Sequence, residues 1–155
     1  MNSPPPAIEV KRKPASPRHR ARQFALQGLY QSLVGGQDQA AILAQAQGVD
    51  GFDKIDRELY ASLLAQTLAA ADDLQQELAP YLDRNWPEVS PIERAILLMG
   101  ACELKHFPQT PYRVVLNEAI ELTRSYGGTD GHKFVNGILD KLATKLRPAE
   151  AGGSP

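Results

Sequence analysis

The chain has 155 residues, a single cysteine (Cys102) and no apolar run near the ~20 residues needed to span a bilayer. These features point to one globular domain without a disulfide framework, a metal-ligating cysteine cluster or a membrane helix. The net charge is −1, but Lys11, Arg12, Lys13, Arg18, Arg20 and Arg22 crowd the first 22 residues against Glu9 alone, leaving an acidic remainder.

A basic arm on an acidic body suits a polyanionic partner; the plainer alternative is a solvated tail. No apolar segment of a secretory signal follows the first charges, so a cytoplasmic protein is expected. Residues 1–15 hold Pro4-Pro5-Pro6, Pro14 and the Lys11-Arg12-Lys13 cluster with almost nothing to bury, and are expected to form a disordered extension.

Ser16-Pro17 reads as an N-cap followed by proline at the first helical position. The helix it starts is predicted over about 17–34, closing at Gly35-Gly36, with Ala21, Ala25, Leu26, Leu29 and Leu33 inward. Gln23, Gln27 and Tyr30 make a second, polar-aromatic face. A weaker helix over 38–47 is anchored by Ile42 and Leu43. Asp53 is expected to cap one long helix over 54–79, whose stripe runs from Ile55 through Leu59, Leu63, Thr67, Ala70 and Leu74 to Leu78. Pro80 ends it, and Tyr81, Leu82 and Trp86 fit a short turn before Pro87. Ser90-Pro91-Ile92-Glu93 has the form of a capping box opening a helix that buries Ala95, Ile96, Met99 and Cys102.

The last segment, opened by Thr110-Pro111 as a second cap-plus-proline start and ended by Pro148, reads as a helical hairpin. Val115, Ala119, Leu122 and Tyr126 stripe its first arm, and Val135, Ile138, Leu139, Leu142 and Leu146 its second. Gly127-Gly128 is expected to end the first arm in the left-handed region, with Thr129 or Asp130 capping the second. Gly137 is expected to admit a neighbouring helix. Residues 149–155 read as a loose tail. No segment alternates like a strand, so the fold class is all-α, with six or seven helices arranged as two small bundles packed together.

Catalytic patterns are thin. There is no phosphate-binding loop, no metal-ligand spacing among His19, His106 and His132, and Cys102 lies on an apolar helix face. No enzyme, metal or cofactor is expected. Binding features are richer. Arg18, Arg20 and Arg22 sit at a helix N-terminus, where the dipole disfavours cations, so helix stability does not account for them. Phe134 borders the last apolar stripe beside Lys133, as suits a base stacking on an aromatic ring with cations on its backbone; a core role at the stripe's margin is the alternative.

The strings NEAIEL (117–122) and HKFVNGILDK (132–141) resemble the C-terminal signature of the NusB family of bacterial transcription antitermination factors. The likeness extends through RARQFALQGLYQ, PYLDR and IERAILLMGACEL, covering about 16–148. What the resemblance implies is a non-enzymatic, all-helical protein of two three-helix subunits. Such a protein binds boxA RNA of ribosomal RNA leaders together with NusE, a small-subunit ribosomal protein, within an RNA polymerase antitermination complex.

It implies RNA contacts at Arg18, His19, Arg20, Arg22, Asp130, Lys133 and Phe134, and NusE contacts at Tyr30 and Glu93. His19 replaces the usual arginine, which makes part of that charge pH-dependent. Glu93 is claimed both by the capping box and by the partner contact. Leu98 and Cys102 stand where relatives often have a basic and an aromatic residue. The Lys11-Arg12-Lys13 arm, absent from shorter relatives, is expected to add nonspecific RNA affinity. The family includes monomers and homodimers, and the sequence does not choose between them. Two other readings fit the same helices: a protein-interaction scaffold, and a stand-alone relative of the RNA-binding domain of ribosomal RNA cytosine methyltransferases.

Overall fold

The computed structural model describes residues 15–152. The basic cluster at 11–13 and the final residues 153–155 lie outside them. Seven α-helices make up the described chain: α1 (Pro17–Gly35), α2 (Gln39–Gln47), α3 (Arg57–Ala69), α4 (Ala71–Leu78), α5 (Pro91–His106), α6 (Tyr112–Tyr126) and α7 (Gly131–Leu146). Helices α1, α2 and α3 form one bundle. Helices α4 to α7 form the other, and α5 packs against both α1 and α3 to join the two. The all-α, two-bundle expectation is met.

The helix starts follow local chemistry. Ser16 Oγ accepts the amide of His19 at 3.0 Å, and Pro17 begins α1. Gly36 ends it at φ 68, a left-handed conformation that favours glycine. Asp38 caps α2 through the Ala41 amide at 2.9 Å. Ser90 caps α5 through the Glu93 amide at 3.3 Å.

Several expectations are corrected. Asp53 caps nothing; it lies in a short 3-10 turn, Phe52–Lys54, and Asp56 caps α3 by accepting the Leu59 amide at 3.0 Å. The long helix expected over 54–79 is two helices, broken at Ala70 (φ −103, ψ 10). The break lets α3 pack on α1 while α4 packs on α5 and α7, a tertiary demand that overrides good local helix formers. Leu33 and Leu43, expected inward, are exposed, because each faces away from the neighbour its helix packs on. Gly127 is extended (φ −91, ψ −175), not left-handed. Its lack of a side chain is a packing requirement: a Cβ there would stand 2.8 Å from Thr123 Cγ2. Gly137 faces open space; close helix approach occurs at Gly100, where a Cβ would meet Leu139 Cδ1 at 2.7 Å.

The hairpin is closed by groups remote in sequence. Thr110 does not cap α6; the Tyr112 amide donates to Glu150 Oε2 at 3.3 Å. Glu150 belongs to a π-helical turn, Pro148–Gly152, so the first part of the expected tail is folded. Arg147, buried just before it, donates to the backbone carbonyls of Glu103, Leu104, Phe107 and Thr110, and to the Glu150 carboxylate. The Leu104 carbonyl near the end of α5 is thereby satisfied, and those of Glu103 and Phe107, which already accept the Phe107 and Thr110 amides, gain a second donor.

Candidate nucleic-acid interface

The arginines at the start of α1 have separate fates. Arg18 is exposed, with a loose 3.8 Å approach to Asp56. Arg20 is half-buried, and its Nε donates to the Ala15 carbonyl at 3.2 Å. The His19 ring lies with Nδ1 2.6 Å from Glu118 Oε1. Arg22 is turned fully inward. Its Nε and one terminal nitrogen each donate to Glu103 across 2.8 Å, a two-point pair whose side chains are both 3% exposed. Burial alone would lower the Arg22 pKa; the hydrogen bond and charge of Glu103, with the charges of Glu118 and Asp56, outweigh it and leave the pKa raised. Arg22 therefore offers no donor to a phosphate at the surface. The reading of Arg18, Arg20 and Arg22 as one phosphate-binding cluster is corrected: Arg22 is a fold-stabilising side chain, and Arg18 and Arg20 are the cations this helix presents.

The second group lies where α6 turns into α7. Asp130 occupies the N-cap position of α7 at φ 65, the sole positive φ among described non-glycine residues. Its side chain makes no capping hydrogen bond, and its carboxylate lies 3.9 Å from Lys133 Nζ, both side chains largely exposed. Phe134 is half-buried against the core, so the core and surface readings each describe one part of the ring. The Arg84 guanidinium stacks over it at 4.1 Å from the ring centroid. Arg84 also holds Asp83 at 2.7 Å. Sequence reasoning missed Arg84: it lies fifty positions before Phe134, and nothing local marks it as a partner of the ring.

Glu93 holds this turn from beneath. Its amide is capped by Ser90, but its carboxylate does not return to the Ser90 amide as a capping box requires. Oε2 accepts the Gly128 amide at 3.4 Å, and the side chain is buried under Gly127, Gly128 and Gly131. A Cβ at Gly131 would collide with that carboxylate. Tyr30 is half-buried on the fourth turn of α1, and no hydrogen bond or ion pair joins it to Glu93.

No hydrogen bond or ion pair joins the α1 cations to the α6–α7 turn. A groove of about 620 Å³ between α1 and α2 is lined by Arg20 and also by Tyr126, the last residue of α6. His19 meets Glu118, and Tyr126 lies eight residues further along α6, so about 12 Å of helix rise separates the His19 contact from the residue that precedes the α6–α7 turn. Tyr126, expected in the core, is 45% exposed at the end of α6 and lines this groove.

Two small helical bundles joined through α5, with cations at the start of α1 and an aromatic–cation stack at the α6–α7 turn, define an all-helical protein with a surface suited to polyanions. The chain belongs to the NusB family, whose model matches residues 19–144. It is 60% identical over 133 residues to the transcription antitermination protein NusB of Aromatoleum aromaticum, covering 86% of this chain and 92% of that protein. Identity to the NusB protein of Dechloromonas aromatica is 50% over 142 residues, covering 92% and 87% respectively. Among solved structures, T. maritima NusB superposes with a TM-score of 0.75 at 25% identity, covering 91% of this chain and 100% of that one. A NusB chain from a complex of antitermination factors NusB and NusE with dsRNA shares the fold at a TM-score of 0.72 and 20% identity, covering 83% and 97%. No helix among the described residues is long and apolar enough to cross a membrane.

Proposed function

We propose that this protein is a transcription antitermination factor that acts in the cytoplasm by binding, not catalysis. It binds boxA RNA of ribosomal RNA leaders together with NusE and promotes read-through by RNA polymerase. The observation that carries the reading is the Phe134 ring, half-exposed beside Lys133 and under Arg84, in a chain 60% identical to an antitermination protein. An aromatic face with cations around it suits a splayed base and its phosphates.

The RNA-facing residues are Arg18, His19, Arg20, Asp130, Lys133 and Phe134, joined by Arg84. Arg22 is left out because it is buried against Glu103. Tyr30 forms the NusE-facing edge. Glu93 contributes to it by fixing the Gly127–Asp130 turn from below. Residues 16–152 constitute the RNA-binding domain, preceded by the basic extension.

Titration of a labelled boxA RNA with the purified protein, alone and with NusE, tests the reading. Binding should tighten with NusE and weaken with salt at a log–log slope of about −0.7 per phosphate neutralised. Equal affinity for boxA and a scrambled RNA, with and without NusE, would refute it.

A further inference from the structure

The roughly 620 Å³ groove between α1 and α2 falls in the size range of ligand sites, and the residues named so far leave it without a task. Its floor is apolar and rigid: Phe24, Phe52 and Tyr60 meet edge to face with centroids 5.5 to 6.3 Å apart, and Phe24 and Tyr60 line the groove beside Ile42 and Ala46. Gly28 lets α2 come close beneath it, since a Cβ there would stand 2.8 Å from Ile42 Cγ2. Its walls carry amides. Gln23, Gln27 and Gln31 recur every four residues along α1, about 6 Å apart in rise, and Gln45 faces them from α2. The lining also includes Arg20, a cation, Asp50, an anion, and Tyr126, a ring 45% exposed.

We propose that this groove reads base edges of single-stranded RNA, with the glutamine row as the discriminating element; this rests on the RNA-binding reading above. Continuity supports it, because the groove is lined both by Arg20, one of the α1 cations, and by Tyr126, the residue from which the α6–α7 turn departs. Chemistry supports it too. Glutamine amides carry both donors and acceptors and pair with base edges, whereas backbone contacts alone carry no sequence information. An A-form duplex hides its major-groove edges from side chains, but splayed bases present theirs to a floor of this kind. Arg20 meets the backbone, and Tyr126 offers a stacking face.

The test compares boxA RNA with a scrambled RNA of the same composition, titrated into the full chain with NusE present. Gln23→Ala and Gln27→Ala should each lower the boxA preference by about fivefold or more while leaving the salt slope unchanged, since neither amide meets a phosphate. Arg20→Ala should weaken both RNAs and flatten the slope. Thermal melts within ~2 °C of wild type establish that the glutamine variants are folded. Wild-type preference retained in both variants overturns the proposal, as does equal loss on both RNAs. Loss of NusE binding with RNA preference intact assigns the groove to a protein instead, and also overturns it. If wild type itself fails to discriminate, the antitermination reading falls and this proposal with it; if wild type discriminates and the variants do so equally, only the groove assignment falls. As an independent check, boxA RNA carrying 4-thiouridine should crosslink to the α1 peptide or Tyr126, and crosslinks confined to 130–134 would count against it.

Discussion

Replacing Arg22 by alanine should unfold the protein more readily without first touching its RNA surface. The substitution strips Glu103 of both hydrogen bonds, each 2.8 Å, in a site where the two side chains are 3% exposed. What remains is a buried carboxylate with no cation; the nearby Glu118, 3.8 Å from the guanidinium, repels it further. Breaking such a pair costs about 3–5 kcal/mol, of the same order as the lower range of domain stability, ~5–15 kcal/mol. At roughly 2–4 °C per kcal/mol for a chain of this size, the melting temperature should fall by about 6–20 °C. Urea unfolding followed by circular dichroism measures the change. Arg22→Ala, Glu103→Ala and the double variant form a cycle in which the double should be less damaged than the two singles combined. Arg22→Met with Glu103→Leu should recover most of the loss, because an apolar pair of similar volume leaves no charge buried. A variant Arg22→Ala that melts like wild type yet binds RNA many times more weakly would refute the structural assignment and return Arg22 to the phosphate-binding set.

Phe134→Ala should weaken boxA binding by about 1–3 kcal/mol if the ring stacks on a base. Chemical denaturation run in parallel separates the roles: lost stability with intact binding would make the ring a core side chain. Cys102 is pushed up to about 11 by burial, so the native protein should resist iodoacetamide at pH 8 and react once unfolded. Prompt native-state labelling would show that α5 opens. Glu77 is held below its ordinary carboxyl value chiefly by a hydrogen bond from Lys105, against a burial effect that raises it, with help from the charges of Lys105 and Lys145. A lowered folded-state pKa stabilises above the unfolded value of 4.5 and is lost as pH falls through the lower folded value. Wild type and Glu77→Gln should therefore differ by no more than ~1 kcal/mol at neutral pH and converge below about pH 4.5. A gap that stays constant through that window would refute the linkage.

Elements governed by neighbours in sequence were legible. Ser16-Pro17 and Ser90-Pro91 start α1 and α5 because a cap needs a hydroxyl three residues before an amide, and nothing distant. Elements governed by distant partners were not. Arg22 looked like a surface cation beside Arg18 and Arg20, although it is in register with Ala25, Leu26 and Leu29, which is an inward position. Glu103, set in the apolar run from Met99 to Leu104, was the matching signal; the two lie 81 positions apart and each makes sense only with the other. The break at Ala70 had no local mark, since alanine is the best helix former and the interruption answers to what α3 and α4 each pack against. At the site, aromatic and charged residue types near position 130 could be read from the chain, but Arg84 above Phe134 and Glu93 beneath the turn could not, because both arrive from other segments.

The Arg147 guanidinium has a practical consequence for anyone shortening or tagging this chain. A deletion ending at Leu146 removes no residue of any helix from α1 to α7, and by sequence it trims only a charged, proline-containing end. It would nonetheless leave the Leu104 carbonyl of α5 without its donor, strip a second donor from the Glu103 and Phe107 carbonyls, and leave the first amide of α6 without Glu150. The end of α5 and the start of α6, each more than thirty residues upstream of the cut, would fray together. Fusion points belong beyond Gly152, and the loss of the last few residues should be felt first at the α5–α6 corner, not where the cut was made.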